Sequence, residues 1–148
     1  MSGTGPYIHA SAVLVAEGVV LIRGASGAGK SQLALALMAE ARRRGLFTGL
    51  IGDDRIALSV AGGRVLASGH PAVRGLIEER GTGLLTVATE PAGVLCCVID
   101  LSEAVPRLPE DKAPAVVVEG VSLPALTIWT GCAPQEAARR ILAFLNWV

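Results

Sequence analysis

Hydrophobic positions in this chain alternate over short runs more often than they recur at helical spacing. Residues 12–16 and 19–23 are two β-rich runs separated by Glu17-Gly18, a spacing that predicts a tight hairpin. A second hairpin is expected where residues 56–60 and 64–67 flank Ala61-Gly62-Gly63, since glycine accepts the positive φ of a two-residue turn. Further strand-like runs cover 84–87, 94–100, 115–119 and 121–128, the last two joined through Glu119-Gly120 as a third hairpin. Residues 48–52 form a short strand leading into Asp53-Asp54. Helical spacing dominates twice. In residues 32–44, Leu33, Leu37 and Ala41 make a stripe that Leu35 and Met38 broaden. Arg42, Arg43 and Arg44 complement the dipole at its end, and Gly45 stops it. Residues 134–147 form an amphipathic helix with Pro134 in its first turn. Residues 1–7 are small and flexible, and the proline-containing, charged stretch 107–114 reads as an exposed loop. Because hairpins outnumber βαβ units, the fold class expected is α/β with a mixed sheet.

Composition narrows the possibilities. A length of 148 residues fits one domain, 1–148, able to bury a core, and 51% hydrophobic against 18% charged residues excludes a disordered chain. Only 3% are aromatic, so Val, Leu, Ile and Ala build the interior. Lys plus Arg number 13 and Asp plus Glu 13, leaving no basic excess to hold a nucleic-acid backbone, and few rings on which bases could stack. Cys96 and Cys97 lie in an apolar run and read as small buried hydrophobes; with Cys132 they make an odd set without C-x-x-C spacing. The sequence shows neither a signal-peptide pattern nor an apolar run of membrane-spanning length, so a cytoplasmic location is expected.

Candidate chemistry begins at Gly24-Ala25-Ser26-Gly27-Ala28-Gly29-Lys30-Ser31, which matches G-x-x-x-x-G-K-[ST] after a strand and at the opening of a helix. Glycines let successive backbone N–H groups curl into an anion nest, and the helix N-terminus adds partial positive charge. Lys30 is placed to reach β- and γ-phosphates, and Ser31 to offer its hydroxyl oxygen to Mg²⁺. The segment thus reads as a P-loop that binds ATP and Mg²⁺. A carboxylate must complete such a site, and two positions compete. The run Val94-Leu95-Cys96-Cys97-Val98-Ile99-Asp100 has the form of an apolar strand ending in a metal-binding acid. Asp53-Asp54 follows the strand after the first helix, and alternation in an extended chain lets only one of the two face the phosphates. The residues alone divide the metal role evenly between these positions.

Four elements in order, Ile8-His9-Ala10, residues 24–31, Leu50-Ile51-Gly52-Asp53-Asp54-Arg55, and Ile77-Glu78-Glu79-Arg80-Gly81-Thr82-Gly83, resemble the catalytic domain of the HPr kinase/phosphorylase family. The match covers about residues 8–110 and has the look of the short proteobacterial form, comprising the C-terminal catalytic domain only. The resemblance implies an ATP- and Mg²⁺-dependent protein-serine kinase acting on the phosphocarrier protein HPr, with phosphorolysis as a reverse activity. It implies Asp53 as general base, Glu78 joining Ser31 and Asp53 at Mg²⁺, His9 near Asp53, Lys30 on the phosphates and Arg80 near the active site and a subunit contact. Arg107 resembles a second family arginine more loosely. It implies too a PEP-carboxykinase-like core and homo-oligomers, hexamers among them. No Pro-Gly-Arg-Asn segment follows Leu126, where longer members carry a regulatory loop, which puts allosteric control and the phosphorylase reaction in question. Two readings stand beside it: a small-molecule kinase or generic P-loop NTPase using Asp100 for the metal, and a nucleotide sensor without turnover. The acids Asp53, Asp54 and Glu78 argue against the sensor.

Overall fold

The computed structural model describes residues 7–71, 75–79, 83–86, 88–104 and 115–146. Its elements run β1 (Ala10–Val15), β2 (Gly18–Arg23), α1 (Lys30–Arg43), β3 (Thr48–Gly52), β4 (Ile56–Ala61), β5 (Arg64–Gly69), β6 (Leu76–Glu79), β7 (Gly83–Thr86), β8 (Ala92–Ser102), β9 (Ala115–Val118), β10 (Val121–Trp129) and α2 (Pro134–Leu145). The expected flexible residues 1–6, the loop 107–114 with Arg107, and Arg80 lie outside the described residues; Tyr7 is described, its ring 4.9 Å from that of His70.

All three expected hairpins form, each with the positive φ angles a tight turn requires. Gly62 and Gly63 (φ 59° and 75°) close β4–β5, and Glu119 and Gly120 (φ 50° and 78°) close β9–β10. Ala16 (φ 55°) turns β1 into β2. The main sheet has the order β3-β1-β2-β8-β10-β9, with β5 joining the start of β8. β8 runs parallel to β2 and β10, while β1–β2, β1–β3, β9–β10 and β5–β8 are antiparallel. The sheet is mixed, as the hairpin-rich pattern predicted. β6 and β7 form a separate pair.

Alternation along the central strands divides the interior in two. Val20 and Ile22 of β2 and Cys97 and Ile99 of β8 face α1 and α2, packing on Leu33, Leu37, Met38, Ile141 and Leu142. Val19, Leu21, Leu95 and Val98 face the other way, onto Ile56, Val65 and Ala67 of the β4–β5 hairpin. The molecule is thus three layers: helix pair, sheet, hairpin. A strand buried on both faces reads as an unbroken apolar run, which is why β2 and β8 stood out in the sequence. The hairpin closes tightly over the end of β3. At Gly69 a Cβ would sit 2.1 Å from the carbonyl oxygen of Ile51, so only glycine fits there. No helix among the described residues is long and apolar enough to cross a membrane.

Candidate active site

The C-terminal ends of β2 and β3 and the start of α1 meet at one cavity of about 320 Å³, lined by Ser26, Gly27, Gly29, Lys30, Ser31, Gln32, Asp53 and Asp54. β2 delivers the chain into the glycine-rich loop, whose Gly27 and Gly29 hold φ of 80° and 102°. Left-handed backbone at these positions is open to glycine at little cost and turns N–H groups inward. α1 starts without a side-chain cap and with no acidic residue in its first turn. Its leading N–H groups are therefore left for an external anion.

Lys30, with a side chain only 7% exposed, donates to the carbonyl oxygens of Gly24 at 3.1 Å and Ala25 at 3.2 Å. An ammonium carries three protons, so these two bonds orient it and leave one for a ligand. Ser31 shares its hydroxyl proton between the two oxygens of Asp53, each 2.9 Å away. The hydroxyl of Ser11, fully buried on β1, donates to Asp53 Oδ1 at 2.6 Å. Asp53 is thus held by two serines from two elements. Ser11 was not singled out in the sequence; its signal was a lone polar residue inside a run of buried β positions.

Asp54 differs from its neighbour. Its φ of 66° bends the chain past the end of β3, so that both acids line the same cavity, contrary to the alternation expected of an extended chain. The Asp54 side chain is 60% exposed; its Oδ1 lies 3.6 Å from His9 Nδ1 and 4.0 Å from Lys30 Nζ. His9 faces Asp54, where the resemblance had implied proximity to Asp53. The cause is a backbone bridge between Ile8 and Ile56, with N–H to O distances of 2.8 and 3.1 Å, which pins the segment bearing His9 beside the Asp-Asp turn.

Asp100 is engaged elsewhere. Arg23 forks onto both of its oxygens, at 2.8 and 3.0 Å, across the parallel β2–β8 pair. The hydrogen bond to Asp100 raises the Arg23 pKa further above its ordinary value. Both Asp100 oxygens thus accept from one guanidinium, and Asp100 is not among the residues lining the cavity under the glycine-rich loop. Cys97 is buried and Cys96 half-buried, in line with their reading as small hydrophobes, and the neighbouring Cys96 thiol, with burial, pushes the Cys97 thiol well up. Glu78 sits on β6, paired with Leu84, but its side chain is outside the described residues, as is Arg80. Among the described residues no three His, Cys, Asp or Glu side chains cluster as a metal cage. Ser31 and Asp53 nonetheless offer hard oxygen donors beside an anion nest, the donor chemistry that suits Mg²⁺ held jointly by protein and phosphates.

The family model for the HPr serine kinase C-terminal domain matches residues 4–91. An HPr kinase/phosphorylase from Mycoplasma mycoides is 39% identical over 79 residues, covering 53% of this chain and 23% of that protein. One from Azoarcus sp. is 32% identical over 141 residues, covering 86% of this chain and 41% of that protein. The chain therefore spans well under half the length of these curated relatives. A solved structure described as the HPr(Ser) kinase/phosphatase from Coxiella burnetii superimposes with a TM-score of 0.78 at 23% identity, covering 96% of this chain and 97% of that one, and so shares its fold. With the family model spanning more than half of its residues, the chain belongs to the HPr serine kinase C-terminal domain family.

Proposed function

We propose that this chain is the catalytic domain of an ATP- and Mg²⁺-dependent protein-serine kinase whose substrate is the phosphocarrier protein HPr, with phosphorolysis of the phosphoserine as the reverse reaction. In finer terms it is a P-loop kinase with a PEP-carboxykinase-like core, working in the cytoplasm as a homo-oligomer. The observation that carries the reading is the meeting of Lys30, Ser31, Asp53 and Asp54 at one cavity under the glycine-rich loop.

The residues divide the work by their surroundings. Lys30 and the inward N–H groups of residues 24–31 neutralise the phosphates, where charge moves during transfer. Ser31 and Asp53 would hold Mg²⁺, joined by Glu78; when bound, the ion would spread phosphate charge and help orient the transferring group. Asp53, already accepting from Ser11 and Ser31, suits this fixed role. Asp54 suits the base better than Asp53, because it is open to a bulky serine-bearing partner and, among the described residues, accepts from no hydroxyl. It accepts the proton of the substrate hydroxyl as the serine oxygen bonds to phosphorus and the bond to the ADP oxygen breaks.

The test is to incubate the chain with Mg-ATP and HPr and weigh the HPr by intact-mass spectrometry. A phosphoryl adduct on serine is expected from the wild type. Asp54→Asn should lower the rate by at least about 100-fold, the scale of general-base catalysis, at unchanged Mg²⁺ requirement. Asp53→Asn should raise the Mg²⁺ requirement, and Asp100→Asn should retain transfer. If Asp53→Asn removed the rate without changing the Mg²⁺ requirement, Asp53 would be the base. No adduct from a folded, ATP-binding wild type would end the HPr assignment and return the small-molecule reading.

A further inference from the structure

The glycine-rich loop leaves the sheet immediately after Arg23, the last residue of β2 in register on both sides, opposite Ala10 of β1 and Asp100 of β8. The Arg23 guanidinium gives its Nε proton to Asp100 Oδ1 at 2.8 Å and an Nη2 proton to Oδ2 at 3.0 Å, with the two side chains 37% and 31% exposed. Alternation from Leu21 and Val98 puts both on the sheet face away from α1, and neither lines the cavity that holds Lys30. We propose that the Arg23–Asp100 pair positions Lys30, by fixing the carbonyl oxygens that aim its ammonium at the bound phosphates. The inference deepens the proposed function and rests on its reading of the loop as a phosphate-binding element.

A short chain of contacts carries the effect. A two-point fork between a planar guanidinium and a carboxylate fixes angle as well as distance, so it ties down the end of β2 where the backbone ladder stops. Beyond it the loop leans directly on β8: a Cβ at Gly24 would sit 3.0 Å from that of Leu101, the residue after Asp100. The carbonyl oxygens of Gly24 and Ala25 then accept from Lys30 Nζ at 3.1 and 3.2 Å. Two protons of the ammonium are thus placed by residues at the strand end, and the direction of the third follows. Hydrogen bonds weaken steeply as their angle degrades, so a small shift of these carbonyls is felt at the phosphate. The anchor itself is firm, because Asp100 also stands opposite Thr127 of β10, and the Thr130 N–H donates to the Ser102 carbonyl at 2.9 Å.

Charge and position make different demands on the pair. By Coulomb attraction alone, removing the Asp100 charge should tighten an anion in the loop, and removing the Arg23 charge should weaken it. Loss of position weakens it in both cases. Calorimetric titration with inorganic tripolyphosphate, on variants whose folding is checked by circular dichroism, separates the two. Asp100→Leu and Arg23→Met should each weaken binding about tenfold, the loss of one charge-assisted hydrogen bond. Asp100→Asn leaves Arg23 an acceptor oxygen and should stay within about threefold of the wild type. In a Lys30→Ala background, neither Asp100→Leu nor Arg23→Met should weaken binding further, because the group they position is gone. Should that background bind too weakly to measure, the sign of the Asp100→Leu change decides; should Asp100→Leu not fold, Arg23→Met with and without Lys30 decides.

Tighter or unchanged binding by Asp100→Leu would overturn the assignment. So would a loss from Asp100→Asn equal to that from Asp100→Leu, which would trace the effect to the charge and not to the bond it accepts. A full further loss in the Lys30→Ala background would overturn it too, since the pair would then act on the loop without Lys30. A wild type that binds no tripolyphosphate overturns the phosphate-loop reading itself, and the inference with it.

Discussion

Ser11 gives its one hydroxyl proton to a carboxylate inside the protein, so that Asp53 Oδ1 is held by two serines from two elements. A hydrogen bond to a charged group contributes about 1.5–3 kcal/mol to stability, so its loss should be felt in the fold as well as at the Asp53 carboxylate. Ser11→Ala removes little volume from a fully buried position. We expect it to raise the Mg²⁺ concentration for half-maximal transfer severalfold and to lower the unfolding midpoint. Measuring activity against Mg²⁺ checks this, and an unchanged Mg²⁺ dependence would reduce Ser11 to packing. The loop was legible in the sequence because its glycines and lysine follow from phosphate chemistry alone. The division between Asp53 and Asp54 was not, because it depends on one left-handed torsion at Asp54 and a bridge to Ile8, neither of which leaves a residue signature.

At the scale of elements, the hairpins were readable because their turns carry their own chemistry. Gly62-Gly63 satisfies two positive φ angles without strain. Glu119 does not: it takes φ of 50° with a side chain that disfavours it. Replacing it by asparagine gives the Asn-Gly pair such turns favour, and Glu119→Asn should raise stability by about 1 kcal/mol. Urea unfolding monitored by circular dichroism measures it; a lower midpoint would mean the glutamate makes a contact that offsets its strain. Strand β6 escaped notice because Leu76–Glu79 ends in two adjacent acids and shows no alternation. β8 was read as residues 94–100 but spans Ala92–Ser102, since its ends are drawn in by pairing with β5 and β10. Pairing of that kind is tertiary and invisible to local pattern.

The whole molecule rests on a sheet covered differently on its two sides. Leu37 sits in the middle of the helix-side interior, fully buried between α1 and the strands. Leu37→Ala should cost about 2–5 kcal/mol by transfer and cavity terms, whereas Val60→Ser, on an exposed stretch of β4, should change stability by less than about 0.5 kcal/mol. Denaturant midpoints for the two variants test this, and comparable losses would mean that the hairpin layer packs more tightly than its exposure indicates. β8 is the member that unites the layers, pairing with β5, β2 and β10 along its length. Its partner Arg23 is 77 residues away from Asp100 in the chain. During synthesis at roughly 5–20 residues per second, the β1–β2 hairpin must therefore wait about 4–15 s for the strand that covers its inner edge. For that interval the glycine-rich loop hangs from an incomplete sheet, so the newborn chain completes the support of that loop only after β8 has left the ribosome.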